Sequence, residues 1–87
     1  IYEVDLDGRC TYANRAAARM LGYAPAELIG QHMHDLVHHA RQDGSSHPHT
    51  DCIIGSVIRD GIECKAEADV MWRKDGSSFW VSWSAYP

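Results

Sequence analysis

Hydrophobic and polar positions switch period along this chain, and each switch marks an element. Ile1 to Asp5 alternates, with Tyr2, Val4 and Leu6 on one side, as a strand does. Asp7-Gly8 supplies the turn chemistry that lets Cys10 to Ala13 return as a second strand. Asn14 suits a helix cap through its side-chain oxygen, and Arg15 to Leu21 holds strong helix formers with Ala16, Ala17, Met20 and Leu21 on one face. Gly22 ends that helix, and Pro25 to Ile29 reads as another short one closed by Gly30. Helices this short do not stand alone in water, so they are expected to lie across a sheet.

The histidine-rich stretch Gln31 to Ala40 reads as helical around Asp35 to His39, and Arg41 to His49 reads as a polar loop. Thr50 or Asp51 is positioned to cap the helix Cys52 to Asp60, where Ile53, Ile54, Val57 and Ile58 recur at helical spacing before Gly61. From Glu63 to Arg73 the alternation is nearly unbroken. Cys64, Ala66, Ala68, Val70 and Trp72 share one face, and Lys65, Glu67, Asp69 and Met71 share the other. Asp75-Gly76 turns the chain, and Phe79 to Tyr86 returns with Phe79, Val81, Trp83 and Ala85 opposite Trp80, Ser82, Ser84 and Tyr86. The predicted class is α+β, an antiparallel sheet with short helices on one face.

With 87 residues the chain has room for one domain, 1–87, with a modest core. The net charge of −4 and scattered basic residues argue against a nucleic-acid partner; Lys65, Arg73 and Lys74 read as solvated strand ends. No apolar run approaches bilayer length, so no membrane contact is expected from this segment. An odd count of three cysteines with no C-x-x-C spacing fits reduced thiols, and with them a cytoplasmic setting.

Strand, Asp-Gly turn, strand ending in Asn14, helix ending Leu21-Gly22-Tyr23, Pro25-x-Glu27-Leu28-Ile29-Gly30, then Trp72-Arg-Lys-Asp-Gly-Ser77 and a closing strand together resemble the PAS domain family over nearly the whole chain. The middle, His38-His39-x-x-x-Asp43-Gly44-Ser45 running to Asp51-Cys52, is similar to a subset of bacterial PAS domains in sensor kinases and cyclic-dinucleotide enzymes, with Ile53 where that subset often has proline. The resemblance implies a sheet whose last strand lies in the middle, between the first strand and the long hairpin. That strand would follow Pro87, so the segment is expected to be a fragment of a longer protein, with a split sheet, a borrowed strand or a missing tail.

The chemistry-bearing residues point in several directions. An Asp5-x-Asp7-Gly8 string invites a calcium reading but lacks the further oxygen ligands and closing acid of a calcium loop. His38, His39, His47, His49 and Cys52 carry metal-binding donors, and His34 with His38 has the i, i+4 spacing of one helix face, yet the spacing matches no standard signature. No metal site is predicted, and these five residues are its candidates if there is one. Haem-holding PAS modules use a histidine on the helix before the long strands, and here that helix has none. The Asn-Cys-Arg-Phe motif of the flavin-binding subset is absent, and the cofactor stays unassigned. Cys52 beside nearby histidines resembles a nucleophile and base, but no oxyanion loop or nucleophile elbow accompanies them, so no catalysis is predicted.

Two functions follow from the resemblance. In the first, the domain is the signal-sensing input module of a bacterial signal-transduction protein. It binds a small ligand between helices and sheet, among Met20, Leu21, Leu28, Leu36, Ile54, Ile58, Val70, Trp72, Val81 and Trp83, and passes the change to an effector of histidine kinase or diguanylate cyclase type. In the second, it is a ligand-free interaction module that forms a homodimer through an outer face bearing Trp80 and Tyr86.

Overall fold

The computed structural model describes residues 1–87, except for the side chain of His49, which lies outside the described residues. The elements in order are β1 (Tyr2–Val4), β2 (Cys10–Ala13), α1 (Arg15–Leu21), α2 (Pro25–Leu28), α3 (Met33–Val37), a 3-10 turn (His49–Asp51), α4 (Ile53–Asp60), β3 (Cys64–Trp72) and β4 (Ser78–Ala85). β1 pairs antiparallel with β2, and β3 with β4, as two separate two-stranded sheets. Of the arrangements expected, the split sheet is the one observed. Among the described residues β1 and β4 each have a single strand neighbour.

Local chemistry explains most boundaries. The Asn14 carboxamide oxygen accepts the Ala17 N–H at 2.9 Å, and Gly22 ends α1 with φ 80°, a left-handed angle that costs glycine little. The Glu27 carboxylate reaches back to the Ala24 N–H at 2.9 Å and also meets Lys74 Nζ at 2.5 Å. Together with the Lys74 N–H donating to Leu21 O at 3.0 Å, this fastens the first two helices to the β3–β4 turn.

One turn design is used three times. In residues 5–9, 41–45 and 73–77 the first amide donates to the fifth carbonyl, the glycine amide donates to the first carbonyl, and the glycine has positive φ. In the first turn the Asp5 carboxylate accepts from the Asp7 and Arg9 amides, so its oxygen organises backbone. Within the expected polar loop, Asp43-Gly44 folds Arg41–Ser46 into a tight reversal, and the His47 N–H reaches His39 O at 2.8 Å.

The core is formed by Cys10, Ala13, Ala18, Leu21, Leu28, Met33, Val37 and Met71, with Phe79, Val81 and Trp83 of β4 packed against it. Leu28 and Val37 are fully enclosed. Helix α3 starts two residues before the expected Asp35, which lets Met33 enter that core, and Cys52, with no side-chain cap bond, holds the N-cap position of α4 in place of Thr50 or Asp51.

The expected unbroken alternation of β3 is also corrected. Pairing runs Ala66↔Trp83 and then Asp69↔Val81, so two residues of β3, Glu67 and Ala68, stand against one of β4. Such a bulge inverts the faces beyond it. Before it Cys64 and Ala66 turn inward; after it Asp69 and Met71 do, and Val70 and Trp72 take the opposite face.

Candidate functional site

The inverted face of β3 builds the site. Asp69 Oδ2 accepts from Trp83 Nε1 at 2.8 Å and from His38 Nε2 at 2.8 Å, while Oδ1 accepts the Val70 N–H at 2.8 Å. Burial raises the Asp69 carboxyl, but the hydrogen bonds from Trp83, Val70 and His38 outweigh it and hold the group below the usual aspartate range. Burial lowers His38, and attraction to Asp69 only partly offsets it. At neutral pH the contact is a neutral imidazole donating to a carboxylate.

That acceptor fixes the ring. An ionised carboxylate only accepts, so Nε2 of His38 carries the proton and Nδ1 presents its lone pair. Nδ1 lies 3.4 Å from Cys52 Sγ, at the start of α4. One helical turn earlier, His34 Nε2 is 2.6 Å from His47 O, placed there by the Asp43-Gly44 turn. The His34, His38 and His47 rings pack edge to face, with centroids 5.5, 5.4 and 4.6 Å apart.

The cluster opens on a cavity of about 170 Å³. Tyr2 and Val4 of β1, Gly8 of the first turn, Met33 and His34 of α3, and Ile54, Gly55 and Ile58 of α4 line it, with His38 and Cys52. Gly8 is constrained here: its φ is +81°, and a Cβ would meet the His32 ring at 3.1 Å. Burial pushes the Tyr2 phenol up to about 12, with the Cys52 and Cys10 thiols adding to the effect. A volume of this order holds a single benzene-sized molecule, well short of the 300–1,000 Å³ of drug-sized sites.

Of the ten pocket residues expected from sequence, Ile54 and Ile58 line this cavity. Leu21 and Leu28 are core residues, with Leu36, Val81 and Trp83 packed beside them. Met20 is 53% exposed. Val70 is buried, and Trp72 donates its indole N–H to Ala40 O at 2.9 Å. Trp80 and Tyr86 are 65% and 70% exposed. Of the metal candidates, His38 and Cys52 meet, His47 packs on His38, His39 faces Trp72 at 5.9 Å, and the His49 side chain lies outside the described residues. Sequence reasoning missed Asp69, hidden by the bulge, and the position of His47, for which Asp43-Gly44 was the available signal.

Short helices packed over two antiparallel hairpins, with a small half-open cavity between β1, α3 and α4, define a small α+β module. Residues 1–85 match the family model described as PAS fold, and the chain belongs to that family, which is regulatory rather than catalytic. No solved structure matches the chain. No helix among the described residues is long and apolar enough to cross a membrane.

Proposed function

We propose that this domain is the cytoplasmic input module of a bacterial signal-transduction protein, taking a small ligand into the cavity between β1, α3 and α4 and passing the change to an attached histidine kinase or diguanylate cyclase. The observation that carries the reading is the cavity itself: about 170 Å³, half open to solvent, lies between β1, α3 and α4 beside the core. Gly55 stands on the cavity wall, where glycine inside a helix costs about 1 kcal/mol relative to alanine and leaves the wall without a side chain. The cavity touches α3, α4 and the β1–β2 hairpin together, so an occupant that favours one arrangement of these elements shifts all three.

A thermal-shift screen of small metabolites tests this, run on metal-free protein with chelator present. A ligand at 100 times its Kd adds about 2.7 kcal/mol, roughly 10–20 °C in a domain of this size. The expected hit stabilises the wild type and not Ile58→Trp, whose indole fills the cavity. Hits that act equally on both proteins, or no hit at all, would refute the reading.

A second reading rests on a different observation. Trp80 stands exposed on the outer face of β4 and Tyr86 stands exposed just beyond its end, and β1 and β4 keep unpaired edges among the described residues. That surface suits a homodimer contact, with aromatic anchors and exposed strand edges.

A further inference from the structure

Three donor side chains from two elements converge at the inner end of the cavity. His34 belongs to α3, His38 follows one turn later, and Cys52 opens α4; one ligand atom from each lies within 4.8 Å of the others. We propose that His34, His38 and Cys52 form a binding site for a borderline-soft divalent metal ion, Zn²⁺ in class, with its fourth position open to the cavity. The proposal deepens the sensing reading, because it uses the same cavity and places a metal-held group where a ligand would enter.

The donor set fits the ion. Imidazole and thiolate are the ligands zinc prefers, and three protein ligands with one open position is the pattern of a reactive site rather than a closed structural one. Tetrahedral zinc with bonds of about 2.0–2.3 Å separates its nitrogen and sulfur ligands by about 3.5 Å. The His38 Nδ1 to Cys52 Sγ distance is already 3.4 Å. The His34 donor nitrogen lies within 4.8 Å of the other two donor atoms, so closing to about 3.5 Å takes a small shift of α3 toward α4, up to about 1.3 Å.

The surroundings are those of a metal-binding histidine pair. Ligating imidazoles donate their other N–H to a carboxylate or a carbonyl, which fixes the tautomer and raises basicity. His38 does so to Asp69 at 2.8 Å, and His34 to the His47 carbonyl at 2.6 Å. Asp69 is in turn held by the Trp83 indole and the Val70 amide. Binding exchanges the Cys52 S–H for an S–metal bond and releases that proton to water, while both imidazoles coordinate as neutral lone-pair donors. One thiolate and the nearby Asp69 carboxylate together balance the charge of the ion.

The test titrates metal-free protein with Co²⁺ and Zn²⁺. The expected result is one ion per chain and a near-ultraviolet thiolate-to-cobalt absorption band. Cys52→Ser abolishes the band, and Cys64→Ser, which removes a thiol away from the site, leaves it. Asp69→Asn keeps the band and weakens Zn²⁺ by about 10- to 100-fold, the usual effect of losing an outer-shell acceptor. Absence of the band in the wild type would overturn the proposal, as would its persistence in Cys52→Ser or its loss in Cys64→Ser. Absence of the wild-type band overturns the site without any variant, and if Cys52→Ser does not fold, His34→Gln, at a half-buried position, is read instead: a clear loss of Zn²⁺ affinity is expected, and an unchanged affinity would overturn the site. Because the metabolite screen runs without metal, failure here leaves the small-ligand reading standing, and failure there leaves this site standing.

Discussion

Removing the Asp69 carboxylate is the sharpest test of how this domain is held together. Its Oδ2 is the acceptor for both His38 Nε2 and Trp83 Nε1, and the His38 side chain is only 3% exposed. In Asp69→Ala the buried His38 N–H loses its acceptor, which costs about 1–3 kcal/mol. Trp83 is half-buried and its N–H can reach water, so its share is the smaller, about 0.5–1 kcal/mol. The sum is about 1.5–4 kcal/mol, against roughly 4–13 kcal/mol of total stability for a chain of this length. Asp69→Asn keeps one acceptor oxygen but sets an amide N–H against a donor on one side or the other, so about 1–2 kcal/mol is expected. Urea unfolding of metal-free protein, followed by tryptophan fluorescence, reads both values. Glu67→Ala, on the exposed side of the bulge, should change stability by no more than about 0.5 kcal/mol. If Asp69→Ala were as mild as Glu67→Ala, the bulge would not turn Asp69 inward and the account of β3 would be wrong.

Other outcomes follow from the same structure. Leu28→Ala, at a fully enclosed position, should cost about 2–5 kcal/mol in urea unfolding. Trp80→Ser faces Val70 across the hairpin and should cost no more than about 1 kcal/mol, while sedimentation should show a dimer of the wild type dissociating in the variant if the outer face pairs. Asp75 accepts from the Ser77 hydroxyl and amide, which hold its carboxyl below the usual aspartate value, with Arg73 nearby. A group depressed on folding stabilises above its unfolded pKa of about 3.9 and loses that contribution as the pH falls. Carboxyl NMR should therefore find the Asp75 midpoint below that of free aspartate, and Ser77→Ala should return it toward the free value.

Much of the backbone was legible because its signals are local. Asn14 and Gly22 bracket α1 where capping chemistry requires, and Asp-Gly marks both strand hairpins. The strand faces of β4 follow from simple alternation, with Phe79, Val81 and Trp83 inward as expected. What escaped is tertiary. Nothing in Ala66-Glu67-Ala68-Asp69 announces a bulge, because each residue is compatible with a regular strand; the inversion pays off only in Met71 entering the core and Asp69 meeting His38. The same limit hid the site. His34, His38 and Cys52 are separated by a loop whose Asp43-Gly44 turn was readable, but the convergence it produces depends on how α3 and α4 dock.

The tautomer of His38 is the measurement closest to the centre of this account. Long-range ¹⁵N–¹H NMR of the metal-free protein at pH 7 should show Nε2 protonated and Nδ1 bare, the state in which Asp69 holds one side of the ring and the other faces Cys52 and the cavity. A ring protonated at Nδ1, or at both nitrogens, would contradict it.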